Sequence, residues 1–260
     1  MKNPSKKNDL FFKLLFAIKK TDPLLIDRFK RFESIDNQTR FALDEAALQK
    51  RYWSLKLAQN CRFERGLDLF AGVGYSGHIY STCCEKVVAI ESDKAAFECL
   101  ERNLGIHSNV ELIHGDNLDF LAGYSGPKFQ LVDVDPFGTP HMQLEHLDKI
   151  FDAGVVAITS GSIMAVSRGL VNSAAHIPGS DLKKYRGINA VTWAKSVYLP
   201  FLCETYRLRL EAFYLYPSSL RAIFTRDYFL PPGCFPGETH LGWFRGVKYL
   251  TFISRARTGC

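Results

Sequence analysis

An α/β protein built on a mostly parallel sheet is predicted by three features of the chain. From residue 65 onward, short Val/Ile/Leu/Phe-rich runs alternate with helix-length amphipathic segments, the pattern of strands joined by crossover helices. A glycine-rich turn, Leu67-Asp-Leu-Phe-Ala-Gly-Val-Gly-Tyr-Ser-Gly-His78, comes directly after the first of these runs. Acidic residues stand at the ends of the next runs, where an open sheet of this kind binds its ligands.

The N-terminal part reads as helical. Residues 1–8 are polar and lysine-rich and read as a tail. Leu10 to Lys20 is an amphipathic helix, and Thr21-Asp-Pro23 punctuates it, with Thr21 or Asp22 free to cap the next helix. Leu24 to Phe32 forms that helix, Asp36-Asn-Gln38 a turn, and Ala42 to Gln59 a third helix. The spacing then predicts strands at 65–70, 86–91, 109–113, 129–134 and 154–159, each apolar enough to be buried on both faces. Lys94 to Leu104 is a helix with Asp93 as N-cap and Gly105 just beyond its end. A helix after Thr139 has that residue as its cap and Pro140 at its first position, and buries Leu144, Leu147 and Phe151. Residues 160–190 are a basic loop. Trp193 to Leu210 is a longer helix. Ala212 to Tyr216, Ala222 to Thr225 and Val247 to Ser254 are later strands. The predicted organisation is a basic helical extension over 1–60 and a main domain over 61–260.

Composition narrows the class. The net charge of +6 lies wholly in residues 1–60, which hold 13 lysines and arginines against 7 acids. A basic extension on a neutral domain suits a polyanionic partner. Seven cysteines without any C-x-x-C pair read as reduced thiols in a cytoplasmic protein, not as a disulfide scaffold or zinc module. No apolar run is long enough for a membrane span. The histidines lack metal-ligand spacing, so no metal is expected.

The chemistry is read from the strand ends. The glycines Gly72, Gly74 and Gly77 form a G-x-G-x-x-G turn, which fits a dinucleotide site, an S-adenosylmethionine (AdoMet) site or a plain tight turn. The second strand ends in Glu91, with Ser92 after it, and a carboxylate there suits the two ribose hydroxyls of an adenosine. The third leads to Asp116 and Asn117, with Asp116 placed for an adenine amine. The fourth, Phe129-Gln-Leu-Val-Asp-Val-Asp-Pro-Phe-Gly138, carries two acids, Asp133 and Asp135, in an apolar run where burial without partners is costly. Asp135, Pro136 and Phe137 present a carboxylate, a backbone carbonyl and an aromatic ring together. That set suits a planar base bearing an exocyclic amine: the two acceptors take its N–H bonds while the ring stacks. The basic loop adds Lys183, Lys184 and Arg186, with Tyr185 and Trp193 interleaved, as a surface for a flipped or single-stranded nucleotide.

Taken with their spacing, Asp68-x-Phe70-x-Gly72-x-Gly74, Glu91 and the Asp135-Pro-Phe-Gly138 block resemble a class I AdoMet-dependent methyltransferase with a Rossmann-like doubly wound sheet. Asp-Pro-Phe-Gly preceded by Val-Asp-Val is similar to the tRNA guanine-N2 dimethyltransferase family in particular, over roughly residues 65–225. The resemblance implies AdoMet as cofactor, held by Asp68, Phe70, Gly72, Gly74, Glu91, Ser92, Asp116, Asn117 and Asp133, with Asp135 on the target amine. It also implies an arginine from the N-terminal part near the AdoMet carboxylate, with Arg40 as candidate. The given sequence stops at 260, and the expectation is that it lacks the family's separate C-terminal domain. Methyl transfer to guanine N2 of tRNA is therefore the leading expectation. A DNA amino-methyltransferase acting on adenine N6 or cytosine N4 is the alternative. An NAD-dependent oxidoreductase is less favoured, because Asp68 and the Asp-Pro-Phe-Gly turn are foreign to it.

Overall fold

A computed structural model describes residues 9–35, 45–162, 190–216, 219–232, 234–235, 240–244 and 247–252. The chain divides into two compact units. The first is Met1–Asp133 with Leu230–Cys234, and the second is Val134–Phe229 with Phe235–Cys260.

The first unit opens with three helices, α1 (Asp9–Thr21), α2 (Leu25–Arg31) and α3 (Glu45–Asn60). Asp22 accepts from the Leu24 N–H at 3.0 Å and closes the α1–α2 turn, but the cap expected from Thr21 or Asp22 does not form: Leu24 takes the N-cap position of α2, with no side-chain cap. Four strands come next with their crossover helices: β1 (Phe63–Asp68), α4 (Tyr75–Tyr80), β2 (Cys84–Glu91), α5 (Lys94–Leu104), β3 (Val110–His114), α6 (Asn117–Gly123) and β4 (Phe129–Val134). They pair in the order β3-β2-β1-β4, all parallel. Val87 to Ile90 and Leu131 to Val134 are buried without alternation, as in strands covered on both faces. Asp93 caps α5 by accepting from Ala96 N–H at 2.8 Å. Ala71, Ala89, Leu100 and Leu104 form a core between the glycine turn, β2 and α5.

Among the polar links that fasten the N-terminal helices to the rest of this unit, two come from α2 and the segment after it. Asn103 of α5 donates to the Glu33 carbonyl at 3.0 Å and to the Val73 carbonyl of the glycine turn at 2.9 Å, while Arg102 pairs with Glu33. The second link is a chain of rings and charge. Arg28 of α2 approaches His78 Nε2 at 3.3 Å, and His78 Nδ1 lies 3.0 Å from His107 Nε2. Arginine can only donate, so His78 Nε2 accepts and its Nδ1–H donates onward to His107. His78 must be neutral for this. Burial first, then the nearby His107 and Arg28, lower its pKa from 6.5 to about 4. Burial and Arg28 lower His107 as well. The unfolded chain thus binds a proton that the folded one refuses between about pH 6.5 and 4, and stability falls as pH drops through that window. Allowing for partial solvent screening, His78 alone is expected to remove about 2 kcal/mol across it. Urea unfolding at pH 7 and pH 4.5, in the native protein and in His78→Asn, checks this. The variant should lose much of the pH dependence, and an equal loss in both proteins would exclude His78 as its source.

The second unit contains α7 (His141–Leu144), α8 (Leu147–Ile150) and β5 (Phe151–Ser160). The next described segment is α9 (Ala190–Trp193), a π-helical turn (Ala194–Tyr198) and α10 (Leu199–Tyr206). Strands β6 (Arg209–Leu215), β7 (Leu220–Arg226), β8 (His240–Phe244) and β9 (Val247–Phe252) complete it. Its strands pair in the order β5-β7-β6-β9-β8, antiparallel throughout.

Three expectations fail here. The single helix after Thr139 is two short turns, with Pro140 itself at the N-cap position and no side-chain cap. Thr139 Oγ1 makes no hydrogen bond among the described residues. Phe151 opens β5 instead of closing the helix. The helix expected to reach Leu210 stops at Tyr206, because Arg207 turns left-handed (φ 52°) and sends the chain into β6. Among the described residues, no helix is long and apolar enough to cross a membrane.

Candidate active site

In the first unit the site is built around the end of β1. Leu69 N–H donates to the Asp133 carbonyl at 3.1 Å and Ala71 N–H to the Ile90 carbonyl at 2.9 Å, so the turn is anchored to both neighbouring strands. Gly72 (φ 54°) and Gly74 (φ 101°) then reverse it in left-handed backbone. The two glycines answer different needs. A Cβ on Gly74 would lie 2.7 Å from Leu104 Cγ, inside the core, whereas one on Gly72 would meet nothing within 4 Å. Gly74 is demanded by packing. Gly72, half-buried between buried neighbours, leaves open space where a Cβ would stand, which is what close approach of a ligand requires.

Glu91, at the end of β2, is locked to this turn. Its Oε2 accepts from Gly72 N–H at 2.8 Å and its Oε1 from Asp93 N–H at 2.8 Å. The carboxylate is thereby held in one orientation beside the open glycine. Ser92 is exposed next to it. Asp116 Oδ1 accepts from Leu118 N–H at 2.7 Å and Asp119 N–H at 3.2 Å, capping α6. Asn117 is buried and donates to the Leu69 carbonyl at 3.1 Å, tying α6 to the exit of β1. Phe70 is half-buried, and its N–H points to Asp68 Oδ1 at 3.4 Å.

Asp68 and Asp133 are register partners on β1 and β4, and both are almost fully buried. Two buried carboxylates side by side need donors close by. Asp133 receives one from the Tyr80 hydroxyl of α4 at 2.7 Å, and that hydroxyl lies 3.3 Å from Ser54 Oγ of α3. The Asp133 side chain thus takes part in an interior network that links the sheet to α3 and α4.

In the second unit, Asp135 stands just past the end of β4, half-buried, with Pro136, and Phe137 is fully exposed. Gly138 accepts from Gly161 N–H at 2.7 Å, which ties the turn to the exit of β5. Asp135 Oδ1 stands 3.9 Å from Arg221 Nη1, whose side chain is only 2% exposed. An exposed ring thus stands two residues beyond an acid that faces a buried cation.

Arg40, Lys183, Lys184 and Arg186 lie outside the described residues. Two arginines that sequence reasoning missed stand close to candidate positions. Arg51 of α3 donates to Ser76 Oγ of α4 at 3.1 Å and lies 5.1 Å from the Tyr75 ring centroid, next to the glycine turn. Its signal was faint, since it is one cation among many in a helix. Arg221 interrupts an otherwise apolar strand, Leu220-Arg-Ala-Ile-Phe224, and that interruption could have been noticed.

These residues fit an adenosine-bearing cofactor on two observations: the open cradle over Gly72 and a carboxylate fixed beside it. Among the described residues, no group of three His, Cys, Asp or Glu is placed to hold a metal ion.

Comparison with known proteins gives partial likenesses. No protein-family model matches the chain. It is 29% identical over 125 residues to a tRNA (guanine(26)-N(2))-dimethyltransferase of Thermoplasma volcanium, covering 47% of this chain and 33% of that one. A protein with the same description from Methanosphaera stadtmanae is 39% identical over 80 residues, 29% of this chain and 20% of its own. An uncharacterized RNA methyltransferase of Thermotoga maritima is 36% identical over 72 residues, 27% of this chain and 16% of its own. The chain thus matches a third or less of the length of these relatives. Among solved structures, the N-methyltransferase NodS of Bradyrhizobium japonicum superposes with a TM-score of 0.50 at 14% identity, over 74% of this chain and 99% of that one. The O-methyltransferase TomG of Streptomyces achromogenes does so with a TM-score of 0.50 at 16% identity, over 85% and 91%. The chain has the Rossmann-like class I methyltransferase fold, and over part of its length its sequence resembles tRNA (guanine-N2) dimethyltransferases.

Proposed function

We propose that this protein transfers a methyl group from AdoMet to the exocyclic amine of a nucleobase in RNA, with guanine N2 of tRNA as its target. The observation that carries this reading is the Asp135-Pro-Phe-Gly138 turn at the end of β4: an acid held by a buried arginine, then an exposed aromatic ring. The partial likeness to enzymes of that description supports the choice of RNA over DNA.

In this reading the first unit holds the cofactor. Glu91 accepts the ribose hydroxyls, the open backbone at Gly72 admits close approach, and Phe70, Ser92, Asp116 and Asn117 line the adenosine end. Asp68 and Asp133 set the shape of the pocket floor. Arg51, beside the glycine turn, is a candidate for the cofactor's carboxylate alongside Arg40. The cofactor, when bound, supplies a methyl carbon made electrophilic by a sulfonium.

Asp135 and a backbone carbonyl of the turn accept the two amine N–H bonds. This counters the delocalisation of the nitrogen lone pair into the ring and aims it outward. Phe137 stacks on the base. The work is positioning and electrostatics, with no covalent intermediate on the protein. The basic residues of the N-terminal helices, and Lys183, Lys184 and Arg186, are proposed to add phosphate contacts.

Cofactor identity is tested by calorimetric titration with AdoMet and with NAD, in the native protein and in Glu91→Ala. AdoMet is expected to bind, and the variant to bind it at least about tenfold more weakly, having lost the ribose acceptor. Tight NAD binding without AdoMet binding would overturn the reading. Unchanged AdoMet affinity in the variant would remove Glu91 from it.

A further inference from the structure

We infer that Arg221 is a positioning residue for Asp135, a buried guanidinium whose task is to hold that carboxylate aimed at the target amine. This inference rests on the acceptor role proposed above for Asp135. Three observations within the second unit carry it.

The first is where the arginine sits. Every residue of β7 is buried, and a cation there is expensive unless its environment repays the lost hydration. The other arginine of the strand, Arg226, has an evident structural purpose. It donates to the Phe151 and Tyr206 carbonyls and pairs with Asp148 at 2.8 Å. Arg221 instead stands against the turn after β4, where Asp135 lies 3.9 Å away.

The second is how the arginine is aimed. Thr159 is its register partner on β5, and Arg221 Nη1 donates to Thr159 Oγ1 at 2.9 Å. The same nitrogen is the one that faces the Asp135 carboxylate. At that separation charge attraction operates without a short hydrogen bond. The carboxylate is therefore drawn toward a cation that is itself fixed on β5.

The third is that the turn is held at two points. Gly138 accepts from Gly161 N–H at 2.7 Å, just beyond β5, and Arg221 with Thr159 holds the acid at its start. The backbone and the charge of one turn are thus both referred to the last residues of the same strand. Asp135 keeps 22% of its side chain exposed against 2% for Arg221, so the acid faces outward with the cation behind it.

The test is a double-mutant cycle on methyl transfer to tRNA, reading kcat and KM separately. Arg221→Met, Asp135→Asn and the double variant are compared, with AdoMet affinity as a control for folding. Arg221→Met is expected to lower kcat at least about thirtyfold, with AdoMet affinity and KM for tRNA within about threefold. Arg221→Lys should restore part of that loss. In the Asp135→Asn background the Met substitution should cost less than about threefold, because its client is gone. Independent, multiplying effects would overturn the inference, as would an unchanged kcat in Arg221→Met.

Should Arg221→Met fail to fold, Thr159→Val carries the test. It removes the hydroxyl that aims the guanidinium, and it should lower kcat several-fold in the native background but not in Asp135→Asn. An equal effect in both would reject the positioning role. Full kcat in Asp135→Ala, which keeps no acceptor, would instead defeat the acceptor role itself, a result separate from either of these.

Discussion

Replacing Asp135 with alanine is expected to lower the rate of methyl transfer at least about a thousandfold while leaving AdoMet affinity within a few-fold. The asymmetry stems from the division of labour. Asp135 belongs to the turn after β4, whereas the cofactor-facing groups proposed here are on the glycine turn and the ends of β2 and β3. An aryl amine is a poor nucleophile, and the acceptor that localises its lone pair acts mainly in the transition state. Loss of that acceptor should therefore appear in kcat. Single-turnover methyl transfer with saturating AdoMet reads the rate, and calorimetry reads the affinity. A variant that keeps more than about a tenth of the native rate would remove Asp135 from the chemistry.

The two left-handed glycines should separate stability from binding. Gly74→Ala forces a side chain into backbone at φ 101° and brings its Cβ to 2.7 Å from Leu104 Cγ, a fully buried neighbour. Backbone strain and overpacking together should cost about 3 kcal/mol in urea unfolding. Gly72→Ala meets open space at φ 54°, so its stability cost should be only about 1 kcal/mol. Its added methyl stands where the cofactor is proposed to approach, and AdoMet affinity should fall at least about tenfold. The reverse pattern, a destabilised Gly72→Ala that binds AdoMet normally, would place the cofactor away from this turn.

The parallel half of the molecule was legible because its signals are local. Strands buried on both faces show as unbroken apolar runs, the β1–α4 turn as glycines, and the α5 cap as Asp93. The four strands predicted there all appear, with ends shifted by at most two residues. The antiparallel half was less so. Nothing near Arg207 signals a helix end, since the left-handed residue is an arginine where glycine is the usual marker. Thr139 and Pro140 mimic a helix start, yet proline itself takes the capping position. At the candidate site, Glu91, Asp116 and Asp135 could be read from their places at strand ends. What each carboxylate touches could not. That Glu91 grips Gly72, that Tyr80 donates to Asp133, and that Arg221 stands behind Asp135 depend on residues 19, 53 and 86 positions away in sequence.

The proposed action of the turn after β4 on a base amine, with AdoMet as donor, is tested most directly by transfer of labelled methyl groups. Unmodified tRNA, ribosomal RNA and duplex DNA serve as acceptors, and each is digested for nucleoside analysis. Label is predicted on the exocyclic nitrogen of guanine, from tRNA, and should disappear with Asp135→Ala. Label on a ribose, a ring carbon or a DNA base would contradict the proposal, as would AdoMet binding without transfer to any of the three.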